Sequence, residues 1–305
     1  MKMLWLSAII LLASPTNMED DNLLVTHNNM PITSVNRNFF SIPYQGQPFI
    51  YQEMVKGFAD KLEKIVYQMP INASLDEKGR IIQERAGSTL NRQRFYELFL
   101  TYYFGKGGGK MEIPIQTIYP RVDSELISQI NSHKIGEYVT YFNANNEARS
   151  QNILLASNAI NNYVLFPGET FSFNKVVGKR TAAKGYLTAP VIVKGELSEG
   201  IGGGICQVSS TLFNAVDNAG LKILKRYSHS KLVPYVPPGR DATVSWYGPD
   251  FSFQNEYNQP ILIRTRANHG RVLIRIFSSD IINYEPKKVP SASHKLSKEI
   301  LTFGQ

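Results

Sequence analysis

The sequence predicts an α+β fold, on three observations. Apolar residues recur at helical spacing through residues 48–69, a second apolar helical face follows Cys206, and the last third holds strand-like runs joined by short turns. Such turns favour antiparallel pairing. The expected architecture is an N-terminal helix-and-strand module, a helical connector, and a second module in which the Cys206 helix lies on a mostly antiparallel sheet.

Taken in order, residues 1–14 open with MKMLWLSAIILLA, one lysine before about ten apolar residues, which matches a secretory signal peptide and falls short of a membrane span. An uncleaved anchor, and with it membrane association, stays open. Residues 15–44 are rich in Asn, Asp, Thr and Ser and read as a linker with a short strand at residues 23–26. A first module is expected over residues 45–121. It holds the 48–69 helix stopped by Pro70, a strand and turn in NASLDEKGRI, a helix over residues 92–104 and a closing strand in MEIPIQTIYP. GKGGGK at residues 105–110 has phosphate-loop composition without the spacing, and reads as a surface loop.

Residues 122–134 form the expected helical connector, and residues 135–280 the second module. Strands are expected at residues 135–143, 169–173, 186–193, 222–227 and 242–246, with a helix over residues 147–164 and a hairpin turn at residues 194–198. A meander over residues 251–277 turns at residues 268–270, and residues 281–305 form a basic polar tail.

The stretch GIGGGICQVSSTLFNA at residues 200–215 carries the only cysteine. Its glycines remove side chains where the backbone must turn, and Cys206 then falls near a helix N-terminus, where the dipole favours a thiolate. The same residue can be a small buried hydrophobe. A cysteine nucleophile needs a base and an orienter. Of five histidines, His229 alone lies in the same module at a strand end followed by an irregular loop, and Asp241 in GRDATVSW can orient its ring, with Asp250 a substitute. The candidate catalytic set is therefore Cys206, His229 and Asp241. Gly203, Gly204, Gln207, Ser209, Ser210 and Arg240 are the candidate substrate-binding residues, with Arg240 holding a carboxylate or pairing with Asp241. Tyr235, Trp246, Tyr247 and Phe251 could line a groove or fill a core.

A single thiol excludes an internal disulfide, so the 43% hydrophobic chain must rest on an ordinary core. The net charge of +8 suits an anionic surface such as peptidoglycan or another cell wall polymer, while dispersed basic residues and an export signal argue against nucleic acid. No metal is expected, since one Cys and scattered His lack ligand spacing, and no cofactor is implied.

Residues 168–277 closely resemble the VanW family: GETFSFNKVVGKRTAAKGY, APVIVKGEL, GIGGGICQVSSTLFNA, the His229-Ser230 pair and VPPGRDATVSW follow in order. The resemblance implies an extracytoplasmic bacterial protein connected by name with glycopeptide-resistance clusters, and implies no mechanism. NASLDEKGRII and IPIQTIYPRV more loosely resemble a peptidoglycan-binding domain found ahead of such modules. Two functions stay open. One is a cysteine-dependent hydrolase or acyl transferase acting on peptidoglycan peptides; the other is a non-catalytic peptidoglycan-binding or scaffold protein.

Overall fold

The computed structural model describes residues 21–44, 47–193 and 196–293. The expected signal peptide, part of the turn at residues 194–198, and residues 294–305 of the tail lie outside the described residues. The described residues divide into two compact units: one ends at Ile71 and resumes over Arg85–Pro120, and the other holds Asn72–Glu84 and the described residues from Arg121 on.

The first unit opens with β1 (Asn22–His27), β2 (Met30–Asn36) and the hairpin β3 (Ser41–Tyr44) and β4 (Gln47–Ile50), followed by α1 (Gln52–Val66). Residues 72–84 belong to the other unit and carry a hairpin, β5 (Ser74–Leu75) and β6 (Ile81–Ile82), around the expected turn. Then come β7 (Gly87–Leu90), α2 (Arg92–Phe104), β8 (Gly109–Glu112) and β9 (Ile115–Ile118). The two helices bury Phe58, Phe95 and Phe99 against Phe40.

Residues 22–44 are not a linker. β1 is the central strand of the sheet β2-β1-β8, and its alternation puts Leu23 and Val25 in the core. Many of the polar residues that suggested a linker lie in the Asn28-Asn29 turn, on the exposed and half-buried β2, and in the turn at Asn36 to Asn38. The closing strand is likewise two strands: β8 pairs with β1 and β9 with β7, with Pro114, which has no N–H to give a ladder, between them.

The second unit continues with α3 (Ser124–Ile130), β10 (His133–Tyr141), α4 (Glu147–Ile160), β11 (Tyr163–Leu165), β12 (Thr170–Ser172) and α5 (Phe173–Val177). Then follow β13 (Thr188–Val193), β14 (Glu196–Ile201), α6 (Ile205–Asn218), β15 (Lys222–Lys225), β16 (Ser252–Gln254), β17 (Ile261–Asn268) and β18 (Arg271–Ser278). The order β10-β18-β17-β11 makes an antiparallel sheet, on which α6 lies against β10 and β18. This is the α+β architecture the sequence predicts.

Several elements differ from expectation. α3 buries Ile127 and Ile130 with Leu262 of β17, so residues 122–134 are part of this unit's core rather than a bare connector. The helix after Asn146 stops at Ile160, because Asn162 takes a left-handed backbone (φ 62°) and the chain turns into β11. β16 leaves the meander for a separate sheet, between β12 and β15. Residues 281–293 are not a free tail: Ile282 and Ala292 are buried, and Tyr138 donates to Pro290 O at 2.9 Å.

The expected strand at residues 242–246 joins no sheet, and the reason bears on the site. Its N–H groups are drawn off to side chains and loops: Ala242 N to Ser210 Oγ at 2.8 Å, Thr243 N to Tyr227 O at 2.7 Å and Val244 N to Cys206 Sγ at 3.5 Å. Two of those acceptors stand on α6.

Candidate functional site

α6 begins where Gly204 takes φ +104°, a backbone that side chains rarely adopt. A Cβ there would also lie 2.9 Å from Arg149 Cγ. Cys206 is thus the second residue of a helix that buries Ile205 and every residue from Gln207 to Val216. The Ile205 and Gln207 N–H groups donate to Gly202 O and Gly204 O at 3.3 and 3.0 Å. The Cys206 N–H between them has no partner among the described residues.

The Cys206 sulfur is half-buried and hydrogen-bonded on several sides. Val244 N donates to it at 3.5 Å, Val244 O lies at 3.5 Å, the Thr243 hydroxyl lies at 3.6 Å, and the His229 ring stands near enough to act on it electrostatically. His229 stands at the start of the loop after β15. Asp241 Oδ2 accepts from His229 Nδ1 and from the His229 backbone N–H, each at 2.6 Å. With Nδ1 so held, Nε2 is the nitrogen left to face the thiol. The histidine and aspartate side chains are 5% and 9% exposed, so the interaction acts in a medium far less polarisable than water.

Electrostatics follow from that geometry. Burial pushes the Cys206 thiol up, but the bond and positive charge of His229, joined by the Val244 N–H and Thr243, outweigh it and hold the thiol below its ordinary value. For His229, burial pulls downward, and Cys206 and then Asp241 raise it above the ordinary imidazole value. Burial raises Asp241 while the two His229 donors lower it, and the net direction is down. All three shifts favour a thiolate–imidazolium pair with an ionised aspartate behind it. Arg226 holds that aspartate from the far side, donating to Asp241 O at 2.6 Å with Nη2 3.5 Å from Oδ1.

Cys206 lines a cleft of about 1140 Å³. Its wall includes Arg149, Lys179, Arg180, Gly202, Gly204, Gln207, Tyr235, Trp246 and Tyr247. No Asp or Glu side chain lines it among the described residues. Nor do the described residues bring three His, Cys, Asp or Glu side chains together as a metal site.

The sequence-derived candidates divide. Cys206, His229 and Asp241 converge, and Gly204 and Gln207 line the cleft. Gln207 is pinned, accepting from Arg149 at 2.7 Å and donating to Thr140 Oγ1 and Tyr141 O at 3.0 Å each. Gly203 does not face the cleft: a Cβ there would meet Ala189 O and Pro190 O at 2.6 Å, so it is the point where the turn lies against β13. Ser209 and Ser210 are fully buried on the neighbouring face of α6 and bond the 242 segment and the Cys206 carbonyl. They brace the site and cannot touch a ligand.

Arg240 is also corrected. It points along α6, donating to Asn214 Oδ1 and Asp217 Oδ2 at 2.7 Å each, with its guanidinium 4.6 Å from the centre of the Phe213 ring. It is neither a cleft residue nor the partner of Asp241. Asp250 ties the start of α5, accepting from Ser172 Oγ at 2.6 Å and Asn174 N at 2.9 Å. Phe251 is buried core, whereas Tyr235, Trp246 and Tyr247 belong to the cleft.

Three site features escaped sequence reasoning. The Thr243–Val244 backbone looks like a strand, Arg226 like a solvated strand end, and Arg180 like a turn cation. Only proximity to Cys206 and Asp241 distinguishes them.

The described fold and site together define an α+β domain built around a Cys-His-Asp constellation. The chain belongs to the VanW-like family. Residues 148–277 match the family model for VanW like protein. The chain is 54% identical over 295 residues to YoaR of Bacillus subtilis, 97% of each chain being covered. It is 28% identical over 159 residues to the vancomycin B-type resistance protein VanW of Enterococcus faecalis, across 50% of this chain and 54% of that one. No solved structure matches it significantly.

Proposed function

We propose that this protein is an extracytoplasmic, cell-wall-associated enzyme that breaks or exchanges amide bonds in peptidoglycan peptides through a Cys206 thioester. One observation carries the chemistry: Cys206 and His229 share the wall of an open cleft, and Asp241 holds the His229 ring at 2.6 Å where it acts on the thiol. Sγ attacks the amide carbonyl carbon and the S–C bond forms. The oxygen bears the negative charge and is met by the Cys206 N–H at the positive end of α6. The C–N bond then breaks as the His229 imidazolium gives its proton to the departing amine. Water, deprotonated by His229, adds to the thioester carbonyl; the C–S bond breaks, the Cys206 thiolate leaves beside the restored imidazolium, and the acid departs as a carboxylate with its proton lost to solvent. An amine in place of water gives a new amide, which is the transferase outcome.

The wall assignment has its own support. The N-terminal MKMLWLSAIILLA has the pattern of an export signal, and the charge of +8 suits an anionic polymer. A relative sharing about half this chain is named for vancomycin resistance. The first unit is then a peptidoglycan-binding module, and an uncleaved N-terminal segment would hold the protein at the membrane. No helix among the described residues is long and apolar enough to cross one.

Incubating purified protein with muropeptides tests the reading by mass spectrometry of the products. New fragments or cross-links that vanish in Cys206→Ala are expected; unchanged muropeptides, with no enhanced alkylation of Cys206 at neutral pH, would reject it. Capture without turnover is the second reading, favoured by the cleft aromatics Trp246 and Tyr247, which are 42% and 85% exposed. Equal affinity of wild type and Cys206→Ala for wall fragments, with no product from either, would establish it.

A further inference from the structure

We propose that Arg180 is a substrate-binding residue of this cleft, taking a free peptide carboxylate that lies next to the carbonyl attacked by Cys206. The inference deepens the proposed function, by naming the substrate class as peptides with a carboxylate beside the scissile bond.

Arg180 follows α5 and lines the cleft. Its stem lies against the turn that starts the Cys206 helix: a Cβ on Gly202 would fall 3.4 Å from Arg180 Cβ. Its guanidinium is fixed by two contacts. Nη1 donates to Asn174 Oδ1 at 2.7 Å, and the group lies 5.6 Å from the centre of the Phe173 ring. Asn174 is itself locked, donating through Nδ2 to Ser245 O and Pro249 O at 2.9 and 3.1 Å.

What this leaves is Nη2, closed off from water and without a hydrogen-bond partner among the described residues. A buried guanidinium N–H with no acceptor is costly, and the cost is relieved when an anion arrives. Nearby carboxylates do not fill the role. Asp250 acts on Arg180 only through space, its oxygens being engaged by Ser172, Asn174 and Phe251, and Glu and Asp are absent from the described cleft lining. Burial holds the Arg180 guanidinium below its ordinary value, and the Cys206 thiolate is among the charges that act on it. A flat, rigid donor suits a flat carboxylate better than a point cation would. Its place by the Gly202 turn puts that carboxylate close to the reacting carbonyl.

Two alkylating reagents of nearly equal size test this on the full chain. Iodoacetate carries the carboxylate and iodoacetamide the neutral amide; each forms an S–C bond to Cys206 and expels iodide. We expect the iodoacetate-to-iodoacetamide rate ratio to fall about tenfold or more in Arg180→Gln, in line with the loss of a charge-assisted hydrogen bond, and to recover in part in Arg180→Lys. Lys175→Gln, which removes a positive charge outside the cleft, leaves the ratio as in wild type. An unaltered ratio in Arg180→Gln, or an equal fall in Lys175→Gln, overturns the assignment.

The second measurement needs no reactive thiol. N-acetylalanine and its amide are titrated into Cys206→Ala, with and without Arg180→Gln, and binding is followed by NMR. Preference for the acid that disappears with Arg180→Gln supports the site, and absence of a preference rejects it. Inorganic phosphate binding more tightly than N-acetylalanine would also reject it, pointing to a phosphodiester polymer. A silent thiol toward iodoacetamide combined with acid-selective binding would reject the catalytic reading and keep the carboxylate site.

Discussion

Asp241 grips His229 twice with one oxygen: Oδ2 accepts from the ring Nδ1 and from the backbone N–H of the same residue, each at 2.6 Å. A single carboxylate therefore sets both the loop position and the ring orientation of the histidine. The thiol inherits its chemistry from that grip.

His229→Gln should raise the pH at which Cys206 becomes reactive. In the wild type the imidazolium holds the thiol below its ordinary value against the upward push of burial. Without it, burial remains and the midpoint moves to or above about 8.5, the value of a free cysteine. Iodoacetamide rates across pH check this, with a loss of about tenfold or more expected at neutral pH. An unmoved midpoint would show that the histidine does not govern the sulfur.

Stability should carry the mark of the same pair. Asp241 is depressed in the folded protein, so its contribution is complete above its unfolded value near 3.9 and fades as pH falls through the lower folded value. His229 is raised, so its contribution is complete below its unfolded value near 6.5 and is lost as pH climbs through the higher folded value. The melting-temperature gap between wild type and Asp241→Asn is therefore expected to be widest between about pH 4 and 6.5. A gap that is constant from pH 3 to 8 would contradict the linkage.

Arg240→Ala should cost stability and leave the thiol's pH profile in place. It loses bonds to Asn214 and Asp217 and its stacking on Phe213, about 1–3 kcal/mol together, and among the described residues Asp217 keeps one cation, Lys287 at 3.4 Å. Urea unfolding measures the loss, and Asp217→Asn in the same background should add little. A displaced alkylation midpoint would return Arg240 to the site.

Gly203→Ala should unseat the start of α6. The added methyl meets two carbonyl oxygens of β13 at 2.6 Å, which forces a backbone shift costing about 1–3 kcal/mol. Slower Cys206 alkylation and a lower melting temperature are expected together; native values of both would mean the turn tolerates the methyl.

The helices were the most legible parts of the fold. α1 and α2 announce themselves by apolar spacing within one segment, and Pro70 and Gly105 mark their ends. The 242 segment was the least legible, because its β-branched residues spell a strand while its N–H groups bond α6 and loop atoms instead of a ladder. Residues 22–44 misled for the converse reason: a short apolar strand followed by a polar turn and a polar, exposed edge strand has the composition of a linker.

For the site, uniqueness did the work of geometry. With one cysteine and one histidine well placed for it, the sequence by itself determined Cys206, His229 and Asp241 as the set to examine, along with the α+β class and the glycine turn before the helix. Only the tertiary structure decided which neighbours face the cleft. Ser209, Ser210 and Arg240 flank the motif in sequence yet turn into α6's packing, and Arg180, from a polar turn 26 residues before Cys206, comes to the cleft wall instead. The reason is physical: a motif specifies residue types along the chain, whereas the side a helix presents is set by what it buries.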